Sequence, residues 1–354
     1  LGARLPLIHP ETMSLYSLCA VIAACVVAVL APGLLTAAIV GLIGSTASSL
    51  AKVCLDSVIQ RDLPEASRAS AFGRSETALQ LSLRHNLVDR PARHKPHQRP
   101  TPYLGGFAIA IGTLLPTLIL ASGRDRRVEA VVLGGALVAV LGLVDDIRPL
   151  GLSTRLLTEC AAAAFVVHAG VQVHVFGGGA DAVITAAWIV VLTNSFNLID
   201  NMDGAAATIG LATAGLLAVT AHEGGQGDVA VLTLATAAGC AGFLVHNWPP
   251  ARLFMGDAGS LFIGFIVTSA TALVCSSADG ARAVTGAWLV TFILTIDTGV
   301  VLISRRRAGR PCFSGGTDHV AHRLRRLGVS VVGTNLLLFV ATVVTSLAAH
   351  GFAH

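Results

Sequence analysis

Long apolar runs dominate the chain, and short polar segments interrupt them. A helix needs about 20 apolar residues to cross a bilayer. The runs predict ten such helices, with approximate bounds 15–43, 104–121, 129–145, 155–170, 182–200, 205–221, 229–246, 259–276, 282–303 and 330–350. The sequence therefore predicts an all-α, polytopic integral membrane protein with about ten transmembrane helices, within a range of nine to eleven.

The first run leaves the count open. Residues 15–43 are long for one span and contain Pro32 and Gly33, so they predict either one kinked helix or two. A cleaved signal peptide over 15–31 is the alternative. We disfavour it because no clear cleavage site follows and further spans come after.

Composition agrees with a membrane bundle. Of the 354 residues, 54% are hydrophobic and 12% are charged, whereas a soluble domain carries about 25% charged residues. Most of the seven cysteines lie in apolar runs and none forms a Cys-x-x-Cys pair, so they are interpreted as small core residues. Walker and Rossmann motifs are absent from the sequence, and we expect no nucleic-acid partner.

The distribution of Lys and Arg predicts the orientation. With ten spans, the loops at 44–103, 145–155, 247–258 and 304–328 share one side and hold 19 of the 24 Lys and Arg residues. Cytoplasmic loops carry such an excess. The sequence thus predicts a multi-pass protein of the cell membrane with these loops in the cytoplasm, although an arginine cluster at 124–127 runs against the rule.

Five polar segments stand out, and all five fall on the predicted cytoplasmic side. The first is a basic, proline-rich run over 89–106 that includes Lys95, His97 and Arg99. Its cations would lie at the level of the lipid headgroups, where anionic lipids and phosphates are found. A simple membrane anchor is the alternative interpretation, because cytoplasmic loops commonly carry Lys and Arg.

Two of the segments place carboxylates at the ends of apolar spans. Asp145 and Asp146 close one span, where the helix dipole disfavours negative charge. Asp257 comes just before another span, where helix N–H groups are open to an anion, and a plain N-cap is the alternative. Gly256 and Gly259 would allow close backbone approach around it.

Another segment carries several amides and two carboxylates. Asn194, Asn197 and Asn201 have the spacing of one helix face, with Asp200 beside them and Asp203 following. A helix-packing amide pair would explain one of these asparagines. Because such groups are costly next to hydrocarbon without partners, the set favours a functional role.

The last segment combines arginines with two histidines. His319 and His322 stand three residues apart, which is one turn of helix, and several arginines surround them. Cations repel a metal ion, so the cluster favours anion binding over zinc. Carboxylates and cations gathered at a lipid headgroup suit Mg²⁺-dependent phosphoryl transfer, in which catalysis is mainly positioning and charge stabilisation. No plausible Ser-His-Asp or Cys-His arrangement is present in the sequence.

Together the five segments resemble the motifs of the polyprenyl-phosphate N-acetylhexosamine-1-phosphate transferase family, glycosyltransferase family 4. Their order and spacing match from about residue 85 to 330. The run Phe-Met-Gly-Asp-Ala-Gly-Ser at 254–260 and the Asn and Asp pattern at 194–204 are the most specific. We predict two parts of the chain: residues 1–103, with the N-terminal span or spans and a long basic cytoplasmic loop, and a transmembrane catalytic bundle over 104–354. The resemblance implies a single catalytic unit from about 85 to 330.

The resemblance implies a reaction and its participants. A UDP-N-acetylhexosamine and an undecaprenyl or decaprenyl phosphate would give the lipid diphosphate sugar and UMP. This would be the first membrane step towards a wall or surface polymer. Mg²⁺, or Mn²⁺ in its place, would be the cofactor, and a homodimer is possible.

The resemblance also implies residue roles. Asp257 would bind the metal, and Asp145 and Asp146 would activate the acceptor or bind metal. The nucleotide site would be lined by Asn197, Asp200, Asp203 and Phe254. The expected catalytic residues are Asp145, Asp146, Asp200 and Asp203, and the expected substrate-binding residues are Lys95, His97, Arg99, Asn194, Asn197, Phe254, Arg306, His319, His322 and Arg323.

Departures from the family pattern favour an N-acetylglucosamine-type enzyme. Ala321 interrupts the usual His-x-His-His run, and Arg148 stands where the peptidoglycan branch, which transfers a muramoyl-pentapeptide phosphate, has Lys. Both argue against that branch. A secondary transporter would need charges near the midplane and an inverted repeat. The aspartates here lie at span ends, with Asp297 the main exception, and the sequence shows no repeat. Asp297 could reach the site floor or pair with an arginine.

Overall fold

The computed structural model describes most of the chain from residue 105 onwards. The described residues are 88–89, 101–102, 105–121, 125–278, 280–311 and 316–353. Two predictions lie outside them: the first span at 15–43, and the substrate contacts of Lys95, His97 and Arg99.

Helices make up nearly all of the described structure. In chain order the elements are β1 Val88–Asp89, β2 Thr101–Pro102, α1 Gly105–Leu120, α2 Arg126–Ile147, α3 Leu152–His168, α4 Gly179–Ile199, α5 Ala205–Glu223, α6 Gly227–Asn247, α7 Gly256–Cys275, α8 Gly280–Val290, α9 Phe292–Arg307, α10 Val320–Arg326 and α11 Val331–Ala353. The two short strands pair antiparallel, with Val88 opposite Pro102.

The helices confirm a polytopic membrane protein. Among the described residues, six helices are long and apolar enough to cross a bilayer: α2, α4, α5, α6, α7 and α11. Large hydrophobic side chains such as Leu118, Leu133 and Val344 are exposed on the outer faces, as lipid contact requires. The shorter α1 and α3, of 16 and 17 residues, pack into the same bundle.

One predicted span is broken. The run at 282–303 forms α8 and α9, which meet at an angle of 74° around Thr291. The Thr291 hydroxyl donates to the Ala287 carbonyl at 2.8 Å. Such back-bonding can bend a helix, but Thr268 makes the same bond inside the unbroken α7, so it does not explain the break by itself. The hydrophobic pattern shows only a continuous apolar run.

Helix α7 is the centre of the bundle and is buried along its length. It packs against α1, α2 and α4 among others. Glycines allow these backbones to approach closely, as small residues do in membrane bundles. A Cβ on Gly106 would lie 2.1 Å from the backbone nitrogen of Gly259. This packing fixes where α7 begins, and Asp257 lies in that first turn.

Replacing Gly142 by Ala should destabilise the protein. A Cβ at Gly142 would lie 2.4 Å from the backbone oxygen of Asp257 and 2.5 Å from the nitrogen of Ala258, and backbone atoms yield little. Overpacking of this kind costs about 1–3 kcal/mol, so we expect the unfolding temperature of the detergent-purified protein to fall by several degrees. The control is Gly299→Ala in α9, where a Cβ would meet nothing within 4 Å. Equal unfolding temperatures for the two variants would contradict the packing described here.

Candidate active site

The polar segments in the described residues converge at one end of the bundle. Helices α2, α4 and α6 end there, and α3, α5 and α7 begin there, as contacts among their terminal residues show. Asp145, Asp146, Asp200, Asp203 and Asp257 are all half-buried. The structure therefore brings together the five aspartates that the sequence singles out.

Asp257 is held from two sides. Its Oδ1 accepts a hydrogen bond from Asn197 Nδ2 at 2.8 Å, and its Oδ2 accepts one from Arg155 Nη1 at 3.1 Å. The Asn197 amide also donates to Ser260 Oγ at 2.9 Å. Because α3 and α4 each contribute a donor, the orientation of the Asp257 carboxylate is fixed.

Asp145 and Asp257 share one cationic partner. Asp145 Oδ2 lies 2.9 Å from Arg155 Nη1, the same nitrogen that contacts Asp257. The other oxygen of Asp145 accepts the Leu150 backbone N–H at 2.6 Å. Two carboxylates from different helices thus converge on the position of a single cationic nitrogen.

Asp146 has a different position from its neighbour. Its two oxygens accept the backbone N–H groups of Asp257 and Ala258, at 2.9 and 3.0 Å. The prediction that these N–H groups are open, or that Asp257 caps its own helix, is therefore wrong. Gly256 already begins the helix, and the carboxylate that satisfies its first turn comes from α2. Gly256 has a φ of +67°, and a Cβ there would lie 2.6 Å from Asp146 Oδ2, so glycine is required.

The asparagine face is shorter than predicted. Asn194 donates to buried Glu159 and to the Val190 carbonyl, and Asn197 belongs to the same helix. Helix α4 ends at Ile199, however, so Asn201 lies in the turn that follows and bonds the Leu198 carbonyl. The spacing of the three asparagines is correct for a helix, but the helix stops before the third.

The turn after α4 carries one open and one engaged carboxylate. No described residue donates a hydrogen bond to the Asp200 carboxylate, although Asp257, Asp146 and Asp203 are close enough for their charges to act on it. Asp203 Oδ2 accepts the Ala251 backbone N–H at 2.9 Å. Asp200 therefore has free acceptor capacity, whereas Asp203 holds the 249–255 loop.

Asn247 joins the same two loops. Its Oδ1 accepts the Gly204 N–H and its Nδ2 donates to the Leu253 carbonyl, each at 2.8 Å. The neighbouring Phe254 is half-buried, and its carbonyl accepts the Gly105 N–H at 3.1 Å. The loop that carries Phe254 is thus fixed to α1 and to the turn between α4 and α5, residues 200–204.

The histidine segment is supported by Asp297. The Nδ1 atom of His319 lies 2.7 Å from Asp297 Oδ2, and the Val320 N–H donates to Asp297 Oδ1 at the same distance. Both side chains are buried, at 3% and 4% exposure. Of the two predicted alternatives for Asp297, pairing with an arginine is wrong, because its partners are His319 and the Val320 N–H. Asp297 thereby positions the start of α10.

The arginines near the site differ in their surroundings. Arg306 is exposed at the end of α9, and Arg323 Nε donates to the Asp318 carbonyl at 3.0 Å. The Asp318 carboxylate lies 2.7 Å from Arg310, whose hydrogen bond lowers the pKa of that carboxyl. Asp318 therefore links Arg310, which follows α9, to Arg323 of α10.

His322 predicts a pH dependence. Burial, followed by the charge of His319, lowers the pKa of His322 below its ordinary 6.5, and its ring contacts the Asn201 backbone. The unfolded chain takes up a proton below pH 6.5 that the folded chain resists. Stability is therefore present above that pH and is lost as pH falls through the folded pKa. We expect His322→Gln to lose less unfolding temperature than the wild type between pH 7.5 and 5.5.

Thermal unfolding in detergent at both pH values measures this difference. The exposed His168, at the end of α3, provides the matched control. His168→Gln should follow the wild-type change, and an unaltered change in His322→Gln would remove His322 as its source.

Two polar residues of the site are missing from the predicted set. Arg155 contacts two aspartates, and Glu159, 1% exposed, contacts Asn194. A signal was present, because two charges four residues apart lie inside the apolar run 155–170. The predicted span begins at Arg155, so that arginine is interpreted as a loop cation.

Comparison with known proteins identifies the family. Residues 128–275 match the sequence profile of glycosyl transferase family 4. A Streptomyces coelicolor protein named as a glycosyltransferase is 40% identical over 270 residues, which span 73% of this chain and 61% of that protein, or less than two thirds of its length. A Bacillus subtilis protein named as an undecaprenyl-phosphate N-acetylglucosaminyl 1-phosphate transferase is 29% identical, over 76% of this chain and 78% of its own.

A third relative is more than 30% identical over most of both chains. The decaprenyl-phosphate N-acetylglucosaminephosphotransferase of Mycolicibacterium smegmatis is 33% identical over 301 residues, which span 73% of each chain. This identity over most of both chains, together with the profile match across the helices that hold the aspartates, shows that the chain belongs to glycosyl transferase family 4.

Proposed function

We propose that the protein transfers N-acetylglucosamine-1-phosphate from UDP-N-acetylglucosamine to a polyprenyl phosphate, releasing UMP. The names of the Bacillus and Mycolicibacterium relatives support the sugar phosphate and the lipid. The observation that carries the proposal is the convergence of Asp145 and Asp257 on one cation position at the end of a membrane bundle. The excess of Lys and Arg supports a cytoplasmic site in the cell membrane.

The donor atoms at this position fit Mg²⁺. Carboxylate oxygens of Asp145 and Asp257 lie within 3.1 Å of the same cationic nitrogen, so they already point to one place. Among the described residues, no three His, Cys, Asp or Glu side chains could hold a metal by themselves. Mg²⁺ needs only one or two carboxylates when phosphate oxygens and water complete its shell. Asp257 would hold it, with Asp145 beside it, and the ion would supply charge neutralisation at the diphosphate.

The reaction exchanges one P–O bond for another. An oxygen of the lipid phosphate attacks the phosphorus that bears the sugar, and the bond from that phosphorus to the UMP oxygen breaks. The electron pair of that bond leaves with UMP. Catalysis of such a transfer rests on positioning and charge stabilisation, and Asn197 and Asp146 provide positioning by fixing the side chain and backbone of Asp257.

The remaining residues divide by their surroundings. Asp200, with an open carboxylate, is the one we assign to orient or deprotonate the acceptor, whereas Asp203 holds a loop. Phe254 and Asn197 would line the nucleotide site. His322, Arg306 and Arg323 would face the sugar and diphosphate, with His319 supporting them. Contacts from Lys95, His97 and Arg99, and assembly as a homodimer, stay predictions.

Release of UMP tests the function. Membranes containing the protein are incubated with polyprenyl phosphate, Mg²⁺ and one of several UDP-sugars, including UDP-N-acetylglucosamine and UDP-N-acetylmuramoyl-pentapeptide. We expect UMP from the first, none from the second, and none after EDTA until Mg²⁺ is restored. Release from the pentapeptide alone would assign the protein to the peptidoglycan branch. No release from any sugar by folded protein would refute a transferase.

A further inference from the structure

Arg155 lies between Asp145 and Asp257, but only part of its guanidinium is engaged there. Its Nη1 contacts both carboxylates. Its Nε is buried and has no hydrogen-bond partner among the described residues. A guanidinium offers five N–H donors in a planar fork. The protein therefore engages Nη1 of this guanidinium, whereas Nε has no partner among the described residues.

Glu159 provides an unpaired acceptor on the same helix. One of its oxygens accepts from Asn194, and the other, Oε1, is buried without a partner. Arg155 is close enough for its charge to act on Glu159. Residues four apart on a helix face the same side, so a turned Arg155 side chain can reach Glu159. A buried donor and a buried acceptor, each unsatisfied and costly, would then satisfy one another.

We propose that Arg155 is a positioning residue with two pairing states. In the metal-free protein it neutralises Asp145 and Asp257 together. When a divalent cation binds these aspartates, the guanidinium turns to Glu159. This inference rests on the Mg²⁺ site of the proposed function and assigns a role to two residues of α3.

The two states make metal affinity depend on both residues of α3. A guanidinium that stays beside the aspartates repels an incoming divalent cation, because charges at short range interact strongly away from bulk water. Arg155 therefore weakens metal binding, and Glu159 strengthens it by drawing the guanidinium away. Glu159 acts only through Arg155, so the effects of the two substitutions will not add.

Binding of Mn²⁺ alone tests the proposal. The full chain in detergent is titrated with Mn²⁺, and the free ion is measured by electron paramagnetic resonance with no UDP-sugar and no lipid present. We expect Arg155→Met to tighten binding about tenfold and Glu159→Gln, which keeps an oxygen for Asn194, to weaken it about fivefold. The double variant should bind as Arg155→Met does. Arg148→Met, at an exposed arginine beyond α2, is the control and should leave binding unchanged.

Each arm can overturn the proposal. Unchanged or weaker binding in Arg155→Met would make Arg155 a plain structural clamp. An equal weakening by Glu159→Gln with and without Arg155 would mean that Glu159 acts on the metal by its own charge. If Arg155→Met does not fold, Arg155→Gln replaces it. Unchanged Mn²⁺ binding in the Glu159→Gln single variant would by itself overturn the proposal. Because no transfer occurs in this experiment, its failure is distinct from a lack of UMP release.

Discussion

Asp257→Asn should lower the rate of UMP release about a thousandfold while leaving a folded protein in the membrane. The substitution removes the charge that would hold Mg²⁺, and metal stabilisation of a transferring phosphate supplies several kcal/mol, of which about 4 corresponds to three decades in rate. The remaining oxygen can still accept the hydrogen bond from Asn197. Most of the loss should therefore be in the chemical step.

UMP release from UDP-N-acetylglucosamine, at matched amounts of purified protein, measures this effect. Asp125→Asn makes the same chemical change at the other end of α2, where Asp125 caps the helix and pairs with Arg127. That control should retain most of the activity. If Asp257→Asn also retained it, the assignment of the metal to Asp257 would be refuted.

The fold is largely predictable from the apolar runs because lipid forces each span to satisfy its own backbone hydrogen bonds. The predicted run 229–246 corresponds to α6, and 259–276 to α7 with a start three residues earlier. The runs do not locate the bend at Thr291. Hydrophobicity there is continuous, so the pattern carries no signal of the break between α8 and α9.

The candidate site is predictable in its residues and not in its pairings. A carboxylate beside hydrocarbon is costly, so Asp145, Asp146 and Asp257 stand out in the sequence alone. Which partner each one takes is a long-range fact, since Asp146 and Asp257 are 111 residues apart. The spacing of asparagines likewise cannot show that α4 ends before Asn201.

Hydrogen-bond partners also distinguish residues that look equivalent in the sequence. Asp200 and Asp203 belong to one motif, yet only Asp203 holds a backbone N–H. His319 and His322 stand one turn apart, yet their surroundings differ. His319 is buried and pairs with Asp297, whereas His322 contacts the Asn201 backbone in the turn after α4. A motif therefore identifies the neighbourhood of the site, and the hydrogen bonds decide which members can meet a substrate.

Asp145 and Asp146 are adjacent, yet changing each to asparagine should have different effects on the stability of the protein. Asp146 accepts two backbone N–H groups at the start of α7, and an amide has one oxygen to offer. Its NH₂ group would face a donor, which costs about 1–3 kcal/mol, and loss of the charge at the helix N-terminus adds about 0.3–1 kcal/mol. We expect Asp146→Asn to lower the unfolding temperature by several degrees, and to reduce UMP release at least about a hundredfold because the backbone of Asp257 moves.

Asp145→Asn is the matched comparison, one residue away. Its amide oxygen can still accept the Leu150 N–H, and Arg155 is 19% exposed and keeps Asp257 as a partner. Its unfolding temperature should therefore fall less than that of Asp146→Asn, although its activity should also be low. Thermal unfolding of both purified variants in detergent gives the ranking. A larger loss of stability in Asp145→Asn would mean that the ion pair with Arg155, and not the capping of α7, holds this end of the bundle together.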